Sequence, residues 1–207
     1  RMFLGMNPIS PEFMGEEGIA ALDAEYETFG GWTDTRLWLY DQAGTTDSSK
    51  VVGMVRYCGK ELKINHIFVD NLAKCVKGED DYNGQKMFID EMTAIARDHQ
   101  CHVHVVHHLK KPPKETDRPD KSDVKGSGSI IDQPDNLFLV WRNKAKEKDR
   151  EAGKPVKDTD PDALLICDKQ RNGEWEGSIG LWFDKPSMQY VGGAGDEPLL
   201  MYRHPED

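Results

Sequence analysis

Residues 64–70, Ile-Asn-His-Ile-Phe-Val-Asp, are an apolar run that ends on the acidic side chain of Asp70. The run has the β-branched and aromatic composition of a buried strand. Residues 83–99 follow with apolar side chains at helical spacing, and residues 101–107 form a second apolar run with three valines. A strand, a helix and a strand in one short unit predict two parallel strands joined by a right-handed crossover. We therefore expect an α/β fold with a mostly parallel central sheet flanked by helices.

The other predicted elements lie on both sides of this unit. Helices are expected over residues 16–29 and over residues 48–57, the second capped by Ser48. Strands are expected over residues 37–40, 137–141 and 163–167, and a C-terminal β-hairpin over residues 178–183 and 188–191. Residues 144–160 predict a charged loop, residues 1–13 an extended entry, and residues 192–207 a loose tail.

Composition excludes several classes of protein. The 207 residues carry a formal net charge of −10, so any contact with DNA or RNA must be confined to a local cluster. No run approaches the roughly 18 apolar residues of a membrane span, and the first residues do not lead into a signal-peptide core. The four cysteines lack CxxC spacing, which indicates no disulfide framework. We expect a cytoplasmic protein with no membrane contact.

Asp70 is the first candidate site residue. At the carboxyl end of a central parallel strand it would face the crevice where open α/β sheets bind ligands, and it could hold Mg²⁺ directly or through water. The alternative is an acid that only ends the strand. A phosphate-binding loop would decide the matter, but its nearest match, residues 53–60, has five residues between its glycines and is followed by Glu61. Because its apolar periodicity predicts a helix, we reject this match.

Histidines cluster in and after the second strand of the unit. His108 would lie at the same sheet edge as Asp70, where it could touch a terminal phosphate or the attacking water. The alternatives are a solvated histidine and a metal cluster of His102, His104, His107 and His108. Along a strand His102 and His104 point to one face and His107 to the other, which argues against convergent ligands.

Residues 108–128 combine prolines with charges, and a loop of this length is more often functional or disordered than a plain connection. We expect nothing in it to pack against a core. Its basic run begins with Lys110 and Lys111. It ends in Lys125, Gly126, Ser127 and Gly128, a backbone that can approach a phosphodiester closely. A flexible linker is equally consistent with this composition.

Residues 168–173, Asp-Lys-Gln-Arg-Asn-Gly, place two cations at the exit of a predicted strand and before a tight turn. Lys169 and Arg171 are separated by one residue, so they project the same way. They could stabilise charge on a transferring phosphoryl group, as an arginine finger does. The alternative is a surface hairpin with solubilising charges.

In this order, the elements resemble the motor domain of ring-shaped replicative DNA helicases, the DnaB and phage primase-helicase type with a RecA-like core. The resemblance covers residues 35–191. It is carried by His-Leu-Lys-Lys-Pro at 108–112, by Lys-Gly-Ser-Gly at 125–128 with Asp135 beyond it, and by Lys-Gln-Arg-Asn-Gly at 169–173. The resemblance implies a partial RecA-like motor domain over residues 1–191, truncated on its N-terminal side, and a tail over residues 192–207.

The resemblance also implies roles for single residues. Asp70 would position Mg²⁺ at the end of the Walker B strand, and His108 would sense the γ-phosphate of ATP or another NTP. Arg171, assisted by Lys169, would be the arginine finger that reaches the nucleotide on the neighbouring subunit of a hexameric ring. Gln133 would correspond to the family's glutamine after the glycine loop, displaced by one position.

The implied DNA-binding loop comprises Lys110, Lys111, Lys125, Gly126, Ser127 and Gly128, facing single-stranded DNA in the central channel. Six such loops would multiply a modest local charge, so a lone chain should bind DNA weakly. The family's phosphate loop and water-activating glutamate lie upstream, and neither has a match in this sequence.

We therefore expect the C-terminal part of a longer ATP-dependent 5′–3′ replicative helicase of a bacterium or a phage-infected cell, inactive alone and with primase as a candidate partner. One alternative is a non-catalytic RecA-like module that serves in assembly or DNA binding. Another is a recombinase or circadian-type ATPase of the same fold, which would not require the motif at residues 169–173.

Overall fold

A computed structural model describes residues 15–41, 46–78, 80–112, 114 and 116–199. The helices are α1 (Gly15–Thr33), α2 (Ser48–Lys60), α3 (Leu72–Cys75), α4 (Tyr82–His99), α5 (Ser129–Asp132) and α6 (Lys144–Glu151). The strands are β1 (His66–Val69), β2 (His102–Val105), β3 (Asn136–Arg142), β4 (Ala163–Gln170), β5 (Gly177–Asp184) and β6 (Gln189–Val191).

Two compact units divide the chain. The larger unit comprises Gln42–Trp141 and Ile166–Ser178, and the smaller unit comprises Arg1–Asp41, Arg142–Leu165 and Ile179–Asp207. Within the described part of the chain, every helix is too short or too polar to cross a lipid bilayer.

The predicted parallel pair is present in the larger unit. β1 and β2 pair in parallel with His66 opposite His102, and α4 lies between them in the chain. Ile67 and Val69 of β1 are buried, whereas His66 and Phe68 on the other face are exposed. The strand–helix–strand prediction is therefore confirmed, although β1 and β2 are each only four residues long.

The core of the larger unit is built on α4. Phe88, Ile89, Met92 and Ile95 recur at helical spacing and are all at most 3% exposed. They belong to one cluster with the inward side chains of β1, and α4 also contacts α2, α5 and β2. The Asp81 carboxylate caps this helix by accepting the Gly84 N–H at 2.9 Å.

The remaining strands form a second sheet in the order β3, β4, β5, β6. β5 and β6 pair antiparallel with Trp182 opposite Val191, which confirms the predicted C-terminal hairpin. A parallel pair and an antiparallel hairpin together give the mixed α/β fold expected from the sequence.

The strand predicted at residues 37–40 is wrong. These four side chains are exposed, Leu39 to 85%, and no strand in the described ranges pairs with them. An apolar run favours a strand only when a neighbouring backbone can accept and donate its hydrogen bonds.

The charged loop predicted at residues 144–160 is also wrong in its first half, because residues 144–151 form α6. Asn143 caps this helix by accepting the Lys146 N–H at 3.1 Å. A helix with almost no apolar side chains gives no periodic signal. Its one indication in the sequence is Asn143, a residue type that caps helices.

Several boundaries differ from the predictions. Asp47, not Ser48, caps α2, because its carboxylate accepts the Ser49 N–H at 2.8 Å. β4 continues to Gln170, three residues beyond its predicted end. The rejected phosphate-loop match, residues 53–60, lies in α2 as expected. The predicted entry at residues 1–13 and the tail from residue 200 fall outside the described residues.

A buried charge network organises the smaller unit. Lys146 Nζ lies 3.0 Å from Asp162 Oδ1, and these side chains are only 5% and 14% exposed. Arg150 Nη2 is 2.9 Å from the same oxygen, and the Phe183 N–H donates to Asp162 Oδ2 at 2.9 Å. Burial raises the pKa of Asp162, but the hydrogen bonds from Phe183, Lys146 and Arg150 outweigh burial and hold this pKa below its usual value.

We expect Asp162→Asn to lower the free energy of unfolding by roughly 3 kcal/mol, because it leaves the buried Lys146 ammonium without its counter-charge. The matched control is Asp149→Asn, which removes an ion pair to Lys154 whose side chains are 46% and 65% exposed and should cost at most about 1 kcal/mol. Urea unfolding at pH 7 measures both values. Equal losses in the two variants would contradict the role of the buried network.

The same variants test the pH dependence. Because the pKa of Asp162 is depressed in the folded state, its contribution is complete above the unfolded value of about 3.9 and is lost as the pH falls through the folded value. As the pH falls below about 4, the free energy of unfolding should therefore decrease less in Asp162→Asn than in the parent protein, and unfolding curves at several pH values measure this difference.

Candidate nucleotide and DNA interface

Backbone hydrogen bonds also join the segments that follow the carboxyl ends of β1 and β2. The Val106 N–H donates to Val69 O at 2.9 Å, and the Leu72 N–H donates to Val106 O at 3.0 Å. Asp70 leaves the sheet at this edge with its side chain exposed, and its carboxylate makes no hydrogen bond or ion pair within the described residues. An exposed carboxylate at this edge can accept a hard cation such as Mg²⁺.

Asn71, which follows Asp70 at this edge of the sheet, contacts His108, the predicted γ-phosphate sensor. Its Nδ2 lies 3.3 Å from Nε2 of His108, which is also exposed. The Asp70 strand and His108 are thus brought together, as the sequence predicted, and Asn71 is the residue between them. Sequence reasoning missed Asn71, although its position directly after the strand-ending acid was the available signal.

The loop after β2 folds back on its own start. Leu109 and Val124 form an antiparallel bridge, the Lys125 N–H donates to His108 O at 3.2 Å, and His107 Nε2 donates to Lys125 O at 2.8 Å. The expectation that nothing in this loop packs against a core is wrong, because Val124 is only 6% exposed and belongs to the core cluster. Pairing with Leu109 carries Val124 into the core.

The basic side chains of the loop differ in their environment. Lys110 is anchored, since its N–H donates to Asp123 O at 2.7 Å and its Nζ donates to Ser122 O at 2.9 Å. Lys111 is exposed. The Asp168 side chain on β4 accepts the Lys121 N–H, which ties the loop to a second strand. Both ends of the loop are therefore ordered by backbone contacts, unlike a flexible linker.

Gln85 of α4 supports the glycine-rich end of the loop. This glutamine is 2% exposed, and its Oε1 accepts the Ser127 N–H at 3.0 Å. The hydroxyl of Ser127 is itself buried and has no hydrogen-bond partner among the described residues. Gly128 then precedes α5. The signal for Gln85, which sequence reasoning missed, is a polar residue on the apolar face of a helix.

Lys169 and Arg171 converge on the C-terminal end of α5. Lys169 Nζ donates to the carbonyls of Ile131 and Asp132 at 2.8 and 2.7 Å, and Arg171 Nη2 donates to Asp132 O at 2.8 Å. Arg171 Nη1 also contacts Asp135 Oδ1 at 3.2 Å. The two cations project the same way, as predicted, and they satisfy carbonyls that a helix terminus leaves open.

Burial and the positive charge of Arg171 lower the pKa of Lys169. The Arg171 side chain remains 46% exposed although its guanidinium contacts Asp132 and Asp135.

Gln133 lies against α4. Its side-chain amide donates to Asp90 of that helix, and its Oε1 is buried with no hydrogen-bond partner among the described residues. Its contact with a nucleotide, implied by the resemblance, stays a prediction.

These contacts form one continuous path in the larger unit. It runs from His108 through Lys125 to the glycine-rich segment, then along α5 to Lys169 of β4 and to Arg171, the residue after this strand. The predicted phosphate sensor, the predicted DNA-binding loop and the two cations are therefore connected by hydrogen bonds and by the chain between residues 125 and 132.

Comparison with known proteins gives the family and the fold of the chain. Residues 15–192 match the family model of the DnaB-like helicase C-terminal domain. No curated protein matches the sequence significantly. Among solved structures, the fold is similar to that of a DnaB-like replicative helicase determined in a study of its interactions with primase, with a TM-score of 0.67 and 18% sequence identity.

That similarity covers 92% of this chain and 45% of the solved chain, so this chain spans less than half the length of that helicase. Its fold is thus the mixed α/β, RecA-like fold of such helicases. Because the family model matches most of its residues, the chain belongs to the DnaB-like helicase C-terminal domain family.

Proposed function

We propose that this chain is the C-terminal motor part of a longer ATP-dependent replicative helicase that moves 5′–3′ along single-stranded DNA as a hexameric ring. The observation that carries the proposal is the continuous path of contacts between His108, the glycine-rich segment and Arg171. A translocating motor needs this coupling, because a change at the nucleotide must move the element that holds DNA.

At the nucleotide, Asp70 is the residue that fits Mg²⁺, since its carboxylate is exposed at the end of β1 and free of bonds to other described side chains. Bound Mg²⁺–ATP would supply the phosphoanhydride bond whose hydrolysis drives the motor. His108 faces the same edge and holds a hydrogen-bonding ring nitrogen 3.3 Å from Asn71. We assign His108 to sensing the terminal phosphate.

The loop from Lys110 to Gly128 is assigned to DNA. His107 and His108 bind both backbone polar groups of Lys125, so a displacement of either histidine moves the start of the glycine-rich segment directly. The chain is acidic overall, which is consistent with a design in which only this loop faces the phosphate backbone.

Arg171 is assigned to the nucleotide of the neighbouring subunit. The guanidinium has five N–H donors, and its bonds to Asp132 and Asp135 use one donor each on Nη2 and Nη1, so further donors remain. These donors can then stabilise charge on a phosphoryl group, and Lys169 holds the same helix end in place. A hexamer is required for this role, and primase is a candidate partner.

A second function is a non-catalytic RecA-like module that serves in assembly or DNA binding. It is favoured by the absence of a phosphate-binding loop from these 207 residues, whose nearest match is helical. Both proposals expect the isolated chain not to bind Mg²⁺–ATP, which equilibrium dialysis tests. The two proposals differ for the longer protein, because only the helicase proposal expects it to hydrolyse ATP.

In the longer protein, Arg171→Ala should lower DNA-stimulated ATP turnover by at least about 10³-fold while nucleotide affinity stays unchanged, because the guanidinium acts on the transition state. The matched control is Arg56→Ala, which removes an exposed ion pair to Glu91 and should leave turnover unchanged. Thermal unfolding of each variant separates lost chemistry from lost anchoring of α5. Normal ATP turnover in Arg171→Ala would contradict the proposed role of Arg171.

Gly126→Ala should weaken single-stranded DNA binding. Gly126 has φ +92°, and an added Cβ would lie 2.4 Å from Gln85 Oε1 and 2.8 Å from Ile130 Cδ1. Either the ends of the Gln85 and Ile130 side chains or the loop must therefore shift, and a side chain at this positive φ is strained in any case. We expect a loss of affinity of about five- to 150-fold, which corresponds to the roughly 1–3 kcal/mol typical of such backbone strain.

The matched control is Gly153→Ala. Gly153 also has a positive φ, +67°, but no atom lies within 4 Å of its added Cβ. Fluorescence anisotropy with labelled oligonucleotide across a salt series measures both variants in the longer protein. Equal affinities would indicate that the glycine-rich segment does not hold DNA.

A further inference from the structure

Three histidines meet on the open face of the parallel pair. His66 on β1 lies opposite His102 on β2, and His104 follows two residues later on the same face. One ligand nitrogen from each ring lies within 4.8 Å of the other two. We call His66, His102 and His104 the histidine cluster. The helicase assignment does not use it. The metal cluster considered from the sequence, His102, His104, His107 and His108, lacked His66, which comes from the other strand.

We propose that the histidine cluster is a binding site for one divalent transition-metal ion of the zinc type, which joins β1 to β2. Neutral imidazole is a preferred ligand of Zn²⁺, Co²⁺, Ni²⁺ and Cu²⁺. Three imidazoles from two neighbouring strands are enough for a site with one position left for water. The described residues add no fourth histidine, cysteine or carboxylate to the cluster.

The distances fit such an ion. His66 Nδ1 and His104 Nε2 are 3.2 Å apart. Two nitrogens that bind one tetrahedral Zn²⁺ at about 2.0–2.1 Å lie about 3.3 Å from each other. The separation of these two nitrogens therefore matches the one that a shared metal ion requires. The ligand nitrogen of His102 lies within 4.8 Å of both.

The surroundings of the cluster favour an ordered site. His102 and His104 stack with ring centroids 4.1 Å apart, and Phe68 stacks on the other face of His104 at 4.2 Å. These contacts restrict the ring of His104 before any ion binds.

The site would stabilise the part of the sheet that carries the candidate nucleotide residues. The ladder that His66, His102 and His104 bridge ends at Val69 and Val105, immediately before Asp70 and the segment that leads to His108. An ion that binds the folded chain but not the unfolded chain raises the melting temperature by mass action. Metal binding should therefore be visible as thermal stabilisation of this chain without any nucleotide.

The test uses the 207-residue chain, kept reduced, with Zn²⁺ and Co²⁺ as probes. We expect one ion per chain by titration calorimetry and a rise in melting temperature with Zn²⁺. His102→Gln and His104→Gln should each weaken binding by at least about tenfold and abolish the rise, since each removes a direct ligand. Because these side chains lie on an open face, the metal-free melting temperatures of the variants should stay close to that of the parent chain.

Two control variants distinguish this site from other ligands. His99→Gln removes a histidine outside the cluster, and Cys58→Ser removes a thiol whose neighbour is Cys101. Both should bind metal as the parent chain does, and the Co²⁺ spectrum should lack thiolate charge-transfer bands. No binding by the parent chain, unchanged binding in His102→Gln and His104→Gln, or loss of binding in a control would each overturn the proposal.

Discussion

The parallel pairing of β1 with β2 is the constraint on which the rest of the larger unit depends. Its register puts Val103 and Val105 on the same face as Ile67 and Val69, which lie in the core with the apolar side of α4. Because side chains alternate along a strand, a slip of one residue would turn the histidines of β2 toward α4 and its valines toward solvent. Burial therefore fixes the register, and the register fixes which polar residues meet at the sheet edge.

Polar contacts then order a segment that has few apolar side chains of its own. The loop after β2 is held by backbone groups near His108, by the buried Gln85 amide and by the Asp168 carboxylate. Each of these hydrogen bonds contributes only about 1 kcal/mol to the free energy of folding. A buried polar group that loses its partner destabilises the fold by more than that. The same contacts that stabilise the loop also connect it to the edge where Asp70 lies.

The sequence predicts those parts of the fold that depend on neighbours along the chain. The apolar periodicity of α4 and the two short arms of the hairpin were enough for their prediction, and the ordered motifs indicated the family. Gln85 and Asn71 were missed because each acts on a residue more than 30 positions away, Ser127 and His108. Only the fold brings these partners together. The error at residues 37–40 has the same cause, since a strand depends on a partner that its own sequence does not specify.

The shortness of α5 has a consequence for the order in which the larger unit folds. A helix of four residues cannot form alone, because its few internal hydrogen bonds do not offset the conformational entropy lost in forming the first turn. Its terminal carbonyls are held by Lys169 and Arg171, which take their positions only after β4 has joined its sheet. The glycine-rich segment should thus become ordered late in folding and should be among the first regions to exchange its amide protons in the native state.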